Sequence, residues 1–160
     1  MKPLISNIVT AVTGTDASIL AAKYAIVLAK QYQCKLTAVY VIDTATIRQL
    51  TLSKIFIQEE AAEYENNLEK NGNRYLTFVE ELAHAKGVKI EKIMRRGAIF
   101  TEILHAAEDK NADLILLGGW EKDTKTRDII GHSHREIMTN SKCTVVLVKE
   151  PNIDQIYKHA

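Results

Sequence analysis

Two short, almost uninterrupted apolar runs, Ile8-Val9-Thr10-Ala11-Val12 and Leu114-Ile115-Leu116-Leu117, constrain the fold of this chain most. Neither alternates apolar with polar, so neither suits a sheet with one wet face. Each reads as a strand covered on both sides, as in a parallel sheet beneath helices. Gly14 follows the first run and Gly118-Gly119 the second, so both strands end in turns.

Three further strands fit around these two. Residues 35–42, rich in β-branched and aromatic side chains, form the second strand, which stops at Asp43. Residues 88–96 alternate Val88, Ile90 and Met94 with Lys89, Glu91 and Lys92, which suits an edge strand. Residues 144–148 form the last. Helices alternate with them. Residues 17–33 carry Ile19, Ala22, Ile26 and Ala29 at helical spacing, behind a cap from Thr15 or Asp16. Residues 44–57 read as a partly helical excursion. From Gln58 a long helix follows, with Ala61, Tyr64, Leu68, Tyr75, Val79 and Leu82 on its buried face. Asn71-Gly72-Asn73 is a point where it can kink, and Gly87 is its left-handed cap. Ile99, Ile103, Leu104 and Ala107 mark a helix over residues 99–110. Residues 120–127 read as a polar loop and residues 132–139 as the last helix. Strands alternating with helices in this way specify an α/β fold with a doubly wound five-stranded parallel sheet. Residues 1–150 are expected to form one domain and residues 151–160 a peripheral tail.

Composition supports a single ordinary domain. The chain has 160 residues with 46% hydrophobic and 26% charged side chains, only 2 prolines, and a net charge of +1. Such balance gives no general pull toward nucleic acid or a charged membrane, and neither is expected as a partner. Met1-Lys2-Pro3-Leu4-Ile5 has no apolar run leading to a cleavage site, so no secretory signal is expected. Cys34 and Cys143 lie far apart without ligand-type neighbours and read as buried reduced thiols, which favours a cytoplasmic setting.

In an open α/β sheet, ligands bind beyond the carboxyl ends of the strands, where the winding direction reverses. The strand ends that matter are Thr13-Gly14-Thr15, Val41-Ile42-Asp43 and Gly118-Gly119. Gly131 is expected to open the last helix, so that the amides of His132 and Ser133 form an anion seat facing those ends. Thr13, Gly14, Thr15, Val41, Asp43, Gly118, Gly119, Gly131, His132 and Ser133 are therefore the candidate cofactor-binding residues. They suit a nucleotide with its base near Val41 and its phosphates near Gly131, or a set of ordinary turn and cap residues. His132 and His134 lie two apart and do not share a helix face, so they read as solvent-facing or capping. No catalytic constellation and no metal site is expected. Asp16 and Asp43 suit capping or a ribose contact, Arg95-Arg96 a solvated edge pair, and Trp120 either a ligand or the loop beneath it.

From Asn7 to Lys149 the arrangement resembles the universal stress protein family. The first strand with Gly14-Thr15-Asp16-Ala17-Ser18 is similar to that family's opening, and Gly97 with Glu102-Ile103-Leu104 to its third-helix entry. Ala112-Asp113-Leu114-Ile115-Leu116-Leu117-Gly118 is similar to its fourth strand, and Gly131 with Ser141-Lys142-Cys143-Thr144-Val145-Val146-Leu147-Val148 to its close. The resemblance implies strand order 3-2-1-4-5, a Rossmann-like fold of the adenine-nucleotide alpha hydrolase type, and a homodimeric regulatory role in stress response. It also implies a glycine pattern in nucleotide-binding members: Gly, two residues, Gly, nine residues, Gly, then Ser or Thr. Here Gly118 and Gly131 match, but Glu121 replaces the middle glycine, His132 the hydroxyl, and Thr13 the family's first-strand aspartate.

Glu121 costs the loop its freedom to approach a phosphate and adds a negative charge, worth roughly 1 kcal/mol of repulsion at 4 Å in water and about 4 near a protein surface. Lys122, Lys125 and Arg127 can offset part of this, and Ser133 can supply a hydroxyl. The reading that follows is a regulatory protein with weak or absent ATP binding; the alternatives are an ATP or AMP sensor and a slow ATP hydrolase. Catalysis is not expected. Val145, Val146, Leu147 and Val148 are too apolar for a bare edge and are the expected homodimer contact, with a further protein partner in a regulatory role.

Overall fold

The computed structural model describes residues 2–119 and 124–160, the side chains of residues 124–130 excepted. Its strands are β1 (Asn7–Val12), β2 (Lys35–Asp43), β3 (Ile90–Gly97), β4 (Leu114–Gly118) and β5 (Thr144–Val148). Its helices are α1 (Asp16–Tyr32), α2 (Thr44–Leu52), α3 (Gln58–His84), α4 (Ile99–Asp109), α5 (Thr124–Asn140) and α6 (Ile153–Lys158). The strands form one parallel sheet in the order β3-β2-β1-β4-β5. The chain winds outward from β1 through β2 to β3, then crosses back to lay β4 and β5 on β1's other side. The sheet is doubly wound, as the alternation implied.

Helices cover both faces, which is why β1 and β4 can be apolar throughout. On one face Ile8, Leu36, Leu114 and Leu116 meet Ala21, Ala25 and Ile26 of α1, and beside them Val12, Tyr40 and Ile42 meet Leu76 and Val79 of α3. On the other, Val9, Val39, Ile115 and Leu117 meet Ile103 and Ala107 of α4 and Ile137 of α5. Asp113 staples β4 to β1 from below: its Oδ2 accepts the amides of Ser6 at 2.7 Å and Asn7 at 3.0 Å. Those two bonds hold its carboxyl below the usual carboxylate range. Their stabilisation is complete at neutral pH and is lost as the pH falls below about 4.

The partly helical excursion expected after β2 is α2 followed by turns, and the N-cap of α2 is Asp43: its Oδ1 accepts the Thr46 amide at 3.0 Å and its Oδ2 the Thr46 hydroxyl at 2.7 Å. Three expectations need correction. Helix α3 runs through Gly72, whose purpose is close packing: a Cβ there would stand 2.5 Å from the Tyr40 ring and 2.8 Å from Met94 Cε. Tyr64, expected to be buried, is 46% exposed, while Leu76 and Ala83 take core positions. The segment expected to be a peripheral tail is docked through α6, where Ile153 is 1% exposed and the Tyr157 hydroxyl donates to the Leu82 carbonyl at 2.7 Å. The expected left-handed cap at Gly87 is present, with φ +71°.

Two substitutions test this packing. Gly72→Ala gains about 1 kcal/mol of helix propensity but forces the Tyr40 ring aside, so a net loss of about 1–2 kcal/mol is expected in urea unfolding. Thr10 is fully buried in β1, and its hydroxyl finds no hydrogen-bond partner among the described residues. Thr10→Val should therefore raise stability by about 1 kcal/mol in the same assay.

Candidate functional site

The carboxyl ends of β1, β2 and β4 form one rim, and the sequence candidates collect there in two places. At the end of β1 the chain turns through Gly14, whose φ is +82° and whose place a side chain would contest with the Tyr75 ring at 2.6 Å. Around this turn three hydroxyl residues bond to one another. The Thr13 amide donates to Ser18 Oγ at 3.2 Å, and Ser18 Oγ donates to the Thr15 carbonyl at 2.9 Å. Thr15 Oγ1 accepts the Ser18 amide at 3.2 Å and lies 3.0 Å from Thr13 Oγ1. Thr15 is thus the N-cap of α1, one of the two residues expected for that role. Asp16, the other, is exposed in the first turn, where its charge favours the helix dipole.

Toward β2 the rim opens into a cleft of about 170 Å³, lined by Thr13, Val41 and Asp43 together with Tyr40, Thr46, Tyr64 and Ile99. Toward β4 it narrows to a recess of about 10 Å³ between Thr13, Thr15, Ser18, Gly118, Gly119 and His134. The recess is small because backbone meets backbone: a Cβ on Gly118 would sit 2.6 Å from the Ala17 carbonyl carbon, and one on Gly119 would sit 2.9 Å from the Val148 carbonyl oxygen. Thr13 touches both spaces. The structure thus brings together Thr13, Val41 and Asp43 on one side and Thr13, Thr15, Gly118 and Gly119 on the other, with Gly14 shaping the turn between.

The expected anion seat is not formed. Helix α5 begins at Thr124, seven residues before Gly131, so the expected loop at residues 120–127 is already helical from Thr124. The His132 and Ser133 amides therefore lie in a helix interior, where amides are committed to carbonyls of the preceding turn. The His132 side chain is exposed, edge-on to the Phe100 ring at 6.0 Å, and Ser133 is buried. Trp120, Glu121 and Lys122 lie outside the described residues, as do the side chains of Lys125 and Arg127.

Two residue assignments also change. His134, expected at the surface, is 5% exposed, and burial pushes its imidazole below its ordinary pKa. It reaches the recess because Ser133, His134 and Ile137 share the inward face of α5, a three-and-four spacing that the sequence shows once the helix is extended to Thr124. Arg95 and Arg96 are not a free pair: Arg95 bonds Glu102 at 3.0 Å and Asp109 at 3.2 Å, and Arg96 bonds Glu65 at 3.2 Å. Both thiols, expected to be buried, are only partly so. Among the described residues no cluster of three or more His, Cys, Asp or Glu side chains could hold a metal, and no helix is long and apolar enough to cross a membrane.

A lowered imidazole pKa means that the unfolded chain takes up a proton more readily than the folded one. The neutral His134 therefore contributes stability that is complete above about pH 6.5 and is lost as the pH falls through the folded value. The urea midpoint should drop between about pH 7 and pH 5, and His134→Phe should flatten that slope.

The model of the universal stress protein family matches residues 5–149 of this chain. A universal stress protein of Methanocaldococcus jannaschii is 34% identical over 148 residues, covering 92% of this chain and 84% of that protein. The structure of a universal stress protein family member from Burkholderia pseudomallei superposes with a TM-score of 0.73 at 18% identity, covering 94% of this chain and 100% of the other. The universal stress protein of Archaeoglobus fulgidus in complex with dAMP superposes with a TM-score of 0.63 at 14% identity, covering 92% and 100%. With nearly its whole length matched by the family model and by a relative of 34% identity, the chain belongs to the universal stress protein family.

Proposed function

We propose that this chain is a regulatory, homodimeric stress-response protein that holds an adenine nucleotide weakly or not at all. The observation that carries this reading is the division of the rim. A space of about 170 Å³ beside Val41 suits a base and part of a sugar, whereas the recess under Gly118 has about 10 Å³, room for at most a single water. That recess has no space for a phosphate chain, and the His132 and Ser133 amides expected to hold one lie inside α5. The dAMP bound by the Archaeoglobus fulgidus relative supports the second reading, a sensor that takes adenylate in the open cleft. A hydrolase would need a free carboxylate and base near the phosphates, and both oxygens of Asp43 are engaged by Thr46.

The dimer reading rests on β5, which among the described residues pairs with β4 alone and ends the sheet beside half-buried Val145, Val146 and Leu147. A second copy laid along that edge would satisfy its backbone and cover those side chains. The partly buried free thiols fit a reducing, cytoplasmic setting.

Calorimetric titration with AMP and ATP should give Kd values on the order of 1 mM or weaker, about −4 kcal/mol; micromolar binding would overturn the reading. Glu121→Gly should tighten ATP binding roughly fivefold by removing about 1 kcal/mol of repulsion. Sedimentation at micromolar concentration should show a dimer, and Val146→Lys should shift it to a monomer of unchanged circular dichroism. A wild-type monomer would defeat the interface.

A further inference from the structure

A broad concavity lies at the opposite end of the sheet from the rim. It is a groove of about 880 Å³ that crosses the starts of β1, β2 and β3. Five lysines line it: Lys30, Lys35, Lys86, Lys89 and Lys110. Its lining holds only two carboxylates, and both are engaged. Glu91 pairs with Lys110 at 2.7 Å and Asp109 with Arg95 at 3.2 Å. Lys86 is turned toward the C-terminal segment, donating to the Lys158 carbonyl at 3.1 Å. That leaves Lys30, Lys35 and Lys89 exposed, with no carboxylate partner among the described residues.

The placement of these three is informative. Lys30 sits in the last turn of α1, where it offsets the negative end of that helix. Lys35 and Lys89 have no such role. They immediately precede Leu36 and Ile90, the first residues paired between β2 and β3, so two like charges stand side by side where the strands begin. Like charges at neighbouring positions of paired strands repel and cost stability. An anion laid across the groove would turn that repulsion into attraction.

We propose that this groove docks an acidic segment of a partner polypeptide. Its floor favours a peptide over a nucleic acid. Between the lysines it presents half-buried Cys34 and Ile90, which take aliphatic side chains, and no aromatic ring on which a base could stack. Exposed glutamates or aspartates of the segment meet Lys35 and Lys89 while its apolar residues cover the floor. The site is separate from the nucleotide cleft, so it stands whether or not the cleft binds anything.

The test is fluorescence anisotropy on the full chain with three probes: a short peptide of glutamates interspersed with leucines, the same peptide with lysines for glutamates, and a thymidine oligonucleotide of equal charge. The acidic peptide should bind, weakening as salt rises from about 50 to about 300 mM. Lys35→Glu/Lys89→Glu should weaken it at least about tenfold, and Lys54→Glu, outside the groove, should leave it unchanged. Should the reversal impair folding, Lys35→Gln/Lys89→Gln, which relieves the like-charge pair, must show the same loss. Absence of acidic-peptide binding, equal binding by the lysine variants, or tighter binding of the oligonucleotide through the same lysines would each overturn the proposal.

Discussion

The first turn of α1 lies so close to Gly118 that a single added carbon would stand 2.6 Å from the Ala17 carbonyl carbon. This contact joins the two halves of the winding. It seats the helix leaving β1 on the strand that returns beside β1, and it sets how far β4 can extend before the chain must leave the sheet. The turn that delivers α1 there needs Gly14 at φ +82°, because an L side chain in that conformation would be strained and would strike Tyr75. The Thr13, Thr15 and Ser18 bonds then fix the turn from within.

What was legible beforehand follows from which signals are local. Continuous apolar runs at Ile8 to Val12 and at Leu114 to Leu117 record burial on both faces directly, and the alternation from Val88 to Met94 records an edge. Caps are local too, which is why Thr15 and Gly87 were readable. The helix at Gly131 was not, because a glycine beside a polar stretch looks the same whether it begins a helix or lies within one. Only the spacing of Ser133, His134 and Ile137 on one inward face separates the two cases. Gly72 misled for the same reason: its cause is the Tyr40 ring on another element, and no property of its neighbours in sequence records that distance.

The site was partly legible because fold geometry alone puts strand ends at a rim. Thr13, Val41 and Asp43 do meet there. Thr46, which borders the same cleft, comes from the excursion after β2, whose apolar residues show no clean period, whereas Tyr64 reaches the cleft from the periodic helix α3. The lysine groove was invisible for a different reason. Its charges come from three separate chain segments, each unremarkable alone, and a near-neutral total conceals the local imbalance.

Helix α6 gives the molecule a mechanical property. A short connection of Lys149-Glu150-Pro151-Asn152 joins it to the outermost strand, and its far end is anchored twice. Tyr157 reaches the Leu82 carbonyl of α3, while Lys23 of α1 and Lys86 stand 5.7 and 4.8 Å from its ring centroid. The C-terminal segment is in effect a buckled strap running from the free margin of the sheet across to the helices that cover its centre. Load applied at that margin passes through the strap to α1 and α3, so an event at one border of the molecule is felt by the layer above its middle.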